Sequence, residues 1–180
     1  GVMIEDQKWP KKCGHTKGKD VVDLDEANSR IKAAVDAREY GNKDILIMAR
    51  TDAIATRGLD DAIKRMQSFS KLGVDILFIE AVKNKEDMKR IIKEVPGHHM
   101  LNLIEDGETP LLEINEIEEI GYKIAVMPLT LMSASVKTMQ ECLNNMKNKV
   151  YNKNVSKFSD LRDIVAVSYT HLTLPTMELV

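Results

Sequence analysis

Cysteine is scarce in this chain, and what little there is excludes several classes. Two cysteines, Cys13 and Cys142, in 180 residues cannot build a disulfide framework. Nor do they outline a structural zinc site. Cys13-Gly14-His15 offers two ligands with no second cluster to complete a set of four. His98-His99 is no better, because neighbours on a strand point to opposite faces. The reading that follows is a reducing, cytoplasmic setting. No apolar run approaches the ~20 residues of a membrane span. The opening GVMIEDQ is neither a signal peptide nor an initiator methionine. Excess charge is also lacking. A net charge of -2 and interleaved acids and bases give no reason to expect nucleic acid or an anionic membrane as partner. Nearly all those charges read as solvated helix faces.

What is present is alternation. Five continuous apolar runs recur: Val2-Met3-Ile4, then 45–49, 76–81, 100–104 and 124–129. Continuous rather than alternating runs suit strands covered on both faces. Between them the spacing predicts helices over 27–39, 59–72, 85–95, 111–120 and 133–147. The last carries Val136, Met139, Leu143 and Met146 at helical spacing, with Cys142 as a small core or boundary residue. Strand and helix in strict turn mean a parallel α/β sheet. A doubly wound sheet often has a glycine-rich phosphate turn after its first strand, and none of these runs is followed by one. A closed (β/α)8 barrel needs about 200 residues or more. The fold expected is therefore the C-terminal five βα units of a TIM-type barrel whose N-terminal strands are missing. It spans residues 1–166. The stretch from Val167 to Thr176, VSYTHLTLPT, resembles a translated sequencing adapter, so 167–180 is expected to be a non-native tail, and His171 carries no function.

In parallel α/β folds the chemistry sits at the carboxyl ends of the strands. The runs end there in Glu5-Asp6, in Arg50-Thr51-Asp52, near Glu80, at Asn102 and Glu105, and in Met127-Pro128-Leu129. A loop that only had to turn favours Gly, Pro, Asn and Ser. Carboxylates, an arginine and an amide on one rim instead read as a polar active-site mouth. The plainer reading is that Asp6 and Asp52 cap structure and Glu80 pairs with Arg50. The loop PKKCGH, Pro10 to His15, follows the first strand end on the same rim. A thiol among Lys11, Lys12 and His15 suits proton transfer or nucleophilic attack. The lysines suit an anionic substrate, and Gly14 permits close backbone approach.

These residues carry a resemblance. GVMIEDQKWPKKCGH, IMARTDA, GLDDAIKRM, LFIEA, NLIEDGETPLL and IEEIGYKIAVMPL together resemble the isocitrate lyase and phosphoenolpyruvate mutase superfamily, nearest to its branch of 2-methylisocitrate and 2,3-dimethylmalate lyases. The resemblance covers Gly1 to about Lys149. It implies a Mg²⁺-dependent (or Mn²⁺-dependent) carbon–carbon lyase acting on an alkylated malate or isocitrate, a di- or tricarboxylate, and releasing a pyruvate-like 2-oxo acid and a carboxylate such as succinate. By position it implies Cys13 as the catalytic proton donor, with Lys11, Gly14 and His15 shaping the closing loop. Glu5 would help hold the metal, largely through water. Arg50, Glu80 and Asn102 would bind substrate. It also implies a homotetramer. The family's D-x-D-x-G-x-G metal stretch would lie before Gly1, and a polypeptide with such open sheet edges is expected to be inactive and poorly folded. Oxaloacetate decarboxylation, a C–P phosphonomutase reaction and a non-catalytic barrel that binds small acids are the alternatives. Mutase branches usually lack the cysteine of this loop.

Overall fold

Five short strands lie side by side in chain order, all parallel. The structure is a computed structural model that describes residues 1–13 and 18–165. The strands are β1 (Val2–Glu5), β2 (Ile47–Thr51), β3 (Ile76–Ile79), β4 (His98–Asn102) and β5 (Ile124–Val126), in the order β1-β2-β3-β4-β5. Seven helices occur among the described residues: α1 (Leu24–Tyr40), α2 (Ile54–Arg57), α3 (Leu59–Lys71), α4 (Lys85–Glu94), α5 (Ile114–Ile120), α6 (Thr130–Lys147) and α7 (Phe158–Ile164). None is long and apolar enough to cross a membrane. The chain divides into two units, Gly1–Leu131 and Met132–Val180.

Local chemistry explains the elements of the first unit. Asp23 caps α1 by accepting from the Glu26 N–H at 2.8 Å, and Asn84 caps α4 by accepting from the Asp87 N–H at 2.7 Å. Each oxygen satisfies a helix-end donor that would otherwise go without a partner. Acidic residues fill the first turns of both helices, where the helix dipole favours them. Gly121 ends α5 with φ +117°, a conformation that costs any residue with a Cβ.

Strand order decides where everything else goes. Parallel neighbours in unbroken sequence, joined by crossovers of one hand, place their helices on a single face. That face is the core: Ala49, Leu77, Ile79 and Leu101 pack with Ile31 of α1, Met66 and Phe69 of α3, Met88 and Ile91 of α4, and Ile117 of α5. Full burial of each large side chain is worth ~1.5–3 kcal/mol. The sheet residues between them face the other way. The register aligns Glu5 with Arg50, Arg50 with Phe78, and Phe78 with Met100. Two residues further along, Glu80 and Asn102 share the same face.

Several expected boundaries shift. The run read as a strand to Glu105 leaves the sheet at Asn102, and Glu105 is exposed, accepting from Thr130 Oγ1 at 2.5 Å. Backbone beyond Asn102 turns through Asp106, whose φ of +59° is incompatible with a continuing strand. The helix expected from Leu111 starts only at Ile114. His98 and His99 do diverge as adjacent strand residues must: His98 is exposed, while His99 is buried and donates Nε2–H to the Val95 carbonyl at 2.9 Å. Burial holds the His99 pKa below its ordinary value.

In the second unit, α6 confirms the helical spacing. Val136, Met139, Leu143 and Met146 are nonetheless 44–65% exposed, and Cys142 is half-buried. Asn145 Nδ2 donates to Asn152 Oδ1 at 2.9 Å, tying the end of the helix to the strand-free segment after it.

Candidate active site

The carboxyl ends of β1 to β4 meet around Arg50. Its guanidinium grips Asp52 with two donors, Nε to Oδ2 at 2.8 Å and Nη2 to Oδ1 at 3.0 Å. Nη2 also lies 3.0 Å from Glu80 Oε2, and Nε 3.4 Å from Glu5 Oε2. The ring of Phe78 sits beneath, 5.3 Å from the guanidinium carbon. Burial alone would lower the Arg50 pKa; the Asp52 hydrogen bonds and the Asp52, Glu80 and Glu5 charges outweigh it, and the pKa is raised. Arg50 is thus a fixed cation, aimed by three carboxylates, and Nη1 takes part in none of these contacts. Glu80 is buried, and its Oε1 accepts from the Ala81 N–H at 3.1 Å. That turn requires φ +60° at Ala81, a strained value for a residue with a Cβ. Asn102 Nδ2 approaches the same Glu80 oxygen at 3.5 Å.

A second layer of charge lies behind this rim. Asp6 points away from Glu5, as alternation demands, and is buried. It accepts from Thr51 Oγ1 at 2.5 Å, from the Asp52 N–H at 3.0 Å and from Arg65 Nη1 at 3.2 Å. Desolvation raises its pKa; those three partners oppose the rise without cancelling it. Arg65, on α3, also holds Asp61 at 2.6 Å. Lys19 is buried with Nζ 3.4 Å from Asp52. Asp6 therefore ties the end of β1 to the end of β2, and Asp52 is clamped between Lys19 and Arg50. The plainer reading of Asp6 and Asp52 as structural groups is right for Asp6 and, in part, for Asp52. Nearly all the scattered charges read as solvated faces; Arg65 and Lys19, both buried, are exceptions. Both look like ordinary surface cations in sequence. Only the helix face of Arg65, shared with Ala62, Met66 and Phe69, hinted at burial.

The cysteine loop leaves the rim after β1. Lys11 Nζ pairs with Glu5 at 2.9 Å. Lys12 instead donates from Nζ to the Gly18 carbonyl at 2.8 Å, so its charge is engaged in holding the loop. Cys13 is exposed with a free thiol. Gly14 and His15 lie outside the described residues. The structure therefore brings together Glu5, Lys11, Arg50, Glu80 and Asn102, with Cys13 on the adjoining loop.

The model of the family described as phosphoenolpyruvate phosphomutase matches residues 1–147. The chain belongs to the phosphoenolpyruvate mutase and isocitrate lyase superfamily. Among curated superfamily members, it is 39% identical to the 2,3-dimethylmalate lyase of Eubacterium barkeri over 170 residues, covering 92% of this chain and 58% of that protein. It is 40% identical to the chloroplastic carboxyvinyl-carboxyphosphonate phosphorylmutase of Arabidopsis thaliana over 150 residues (82% and 44%). It is 36% identical to the 2-methylisocitrate lyase of Aeropyrum pernix over 154 residues (86% and 49%). A crystal structure of 2,3-dimethylmalate lyase superposes with TM-score 0.85 at 30% identity, covering 94% of this chain and 57% of that one. The chain spans about half the length of the curated superfamily members it matches.

The superfamily resemblance attaches Mg²⁺ to Glu5. Glu5 already pairs with Lys11 and borders Arg50. Among the described residues no group of three or more His, Cys, Asp or Glu side chains is placed to hold a metal ion. The described residues do not make a metal site by themselves.

Proposed function

We propose that this chain supplies part of the active site of a carbon–carbon lyase. The substrate is a 2-hydroxy acid of the alkylated malate or isocitrate type, and the products are a pyruvate-like 2-oxo acid and a carboxylate such as succinate. The observation that carries the reading is Arg50, an anion-binding group held rigid at the strand ends beside the Cys13 loop. The lyase names of two relatives support it. The unreversed strand order, the helices on one face and the likeness to the dimethylmalate lyase structure support reading the sheet as five consecutive units of a (β/α)8 barrel wall. A homotetramer and a cytoplasmic setting belong to the same proposal, as implications of the resemblance.

The chemistry asks little that these residues cannot do. Arg50 binds a substrate carboxylate through Nη1, and the Asn102 amide donates a second hydrogen bond. The C–C bond next to the hydroxyl-bearing carbon breaks. Its electron pair collects on the α-carbon of the departing carboxylate fragment, and the hydroxyl passes its proton to solvent water as the C=O forms. The Cys13 thiol donates its proton to the carbon, and the thiolate left behind is reprotonated from solvent. Protons balance, and no oxidant is required. Because Arg50 is already aimed by Asp52 and Glu80, it stabilises developing negative charge without reorganising.

The complete gene product is assayed with 2-methylisocitrate and 2,3-dimethylmalate, following 2-oxo acid release by coupled NADH oxidation. Cys13→Ser is expected to lower kcat by about 10²–10⁴-fold, the usual contribution of a placed proton donor. Unchanged turnover in that variant refutes the role of Cys13. A second reading, phosphorus–carbon chemistry, has the Arabidopsis relative in its favour. It wins if neither hydroxy acid releases a 2-oxo acid while a phosphonate forms from a phosphoenolpyruvate-type substrate.

A further inference from the structure

Gln7 ends the IEDQ stretch and has no part in the chemistry above, yet it is one of the few buried polar residues of the chain, 2% exposed. Its side chain bonds both backbone groups of one residue, Lys12. Nε2 donates to the Lys12 carbonyl at 2.9 Å, and Oε1 accepts from the Lys12 N–H at 3.0 Å. The two partners leave only one orientation of the amide satisfied. Gln7 is itself anchored. Its carbonyl accepts from Arg30 Nη1 at 2.9 Å, and it forms an antiparallel bridge with Val21. Flanking it, the Lys8 N–H donates to the Asp20 carbonyl at 2.8 Å and the Val22 N–H to the Asp6 carbonyl at 2.9 Å. A rigid frame thus reaches through one amide to the residue immediately before Cys13.

We infer that Gln7 is a positioning residue that sets the backbone from which the Cys13 thiol is presented. The inference rests on the proposed role of Cys13 as proton donor. Two parallel hydrogen bonds fix rotation as well as distance, which one bond cannot do. Few side chains can replace them. Asn is shorter by one C–C bond, about 1.5 Å. Ionised Glu lacks the donor for the Lys12 carbonyl. Met has the length and neither bond. Lys12 is exposed, so water can satisfy its N–H and C=O when the amide is removed. Folding then survives while the placement of Cys13 is lost.

Gln7→Met and Gln7→Glu in the complete gene product test this. Amide hydrogen exchange on the unmodified protein is expected to show the Lys12 N–H protected by about tenfold over an open loop, and the protection to vanish in Gln7→Met. kcat is expected to fall about ten- to hundredfold in Gln7→Met, the cost of ~1 Å misplacement, with KM within about twofold and thermal unfolding little changed. A Lys12 amide exchanging at the open-loop rate in the unmodified protein overturns the inference, and it does so even if the variants fail to fold. So does Gln7→Met retaining full kcat after that protection is lost. An unimpaired Cys13→Ser enzyme instead refutes the proton-donor reading, while the exchange measurement still judges the clamp.

Discussion

Replacing Arg50 by lysine keeps the charge and removes the geometry. Arg50 makes three short contacts, two to Asp52 at 2.8 and 3.0 Å and one to Glu80 at 3.0 Å. Lysine offers one nitrogen, so it can serve one of these buried carboxylates well and leaves the other underbonded. Asp52 and Glu80 are 1% and 2% exposed, so water cannot stand in. A hydrogen bond to a charged group is worth ~1.5–3 kcal/mol. Losing three and regaining one leaves a deficit of ~3–6 kcal/mol, with ~0.5–1 kcal/mol more from the weakened stacking on Phe78. With a urea m-value of ~3 kcal/mol/M, the unfolding midpoint followed by circular dichroism should drop by about 1–2 M. If the same contacts aim Arg50 at substrate, kcat/KM for 2-oxo acid release should fall by about 30- to 1000-fold. A midpoint shift below ~0.3 M together with kcat/KM within about threefold of the parent refutes the reasoning on both counts.

Other perturbations probe the layers around that centre. Arg65→Met strands Asp6 without its buried cation and should cost ~3–5 kcal/mol in urea unfolding. Adding Asp6→Asn should recover ~1 kcal/mol or more, and strictly additive losses would contradict a coupled pair. His99 has a folded-state pKa below the ordinary 6.5, so below pH 6.5 the unfolded chain takes up the proton more readily. The His99 contribution is complete above pH 6.5 and is lost as pH falls toward the folded value, at up to ~1.4 kcal/mol per pH unit. His99→Gln should flatten that acid slope of unfolding free energy, and an unchanged slope would exclude His99 as its source. Gly121→Ala should cost ~1–2 kcal/mol, read as a lowered Tm, because φ is +117° and the new Cβ would stand 2.9 Å from Ile92 Cγ2.

Much of this architecture is legible in one dimension because it depends on near neighbours. Continuous apolar runs, helical spacing and the capping residues Asp23 and Asn84 act within a few residues, so strand and helix alternate where the sequence says they do. The rim residues Glu5, Arg50, Glu80 and Asn102 follow from the same logic, since a parallel sheet puts every strand's carboxyl end on one side. What pairs with what is another matter. Lys12 and Lys11 are adjacent and of one residue type, yet one holds Gly18 and the other Glu5. Arg65 and Lys19 read as solvated charges and are buried, because Asp6 and Asp52 wait for them 59 and 33 residues away in sequence. The positive φ at Ala81, beside Glu80, leaves no trace in residue type, whereas Asp106 is of a type enriched at positive φ and precedes Gly107. Local periodicity thus determines the elements and which ends carry chemistry. Only the tertiary structure decides the ion pairs, the burial of Gln7 and the aim of Arg50, because each depends on charges and amides brought together from distant parts of the chain.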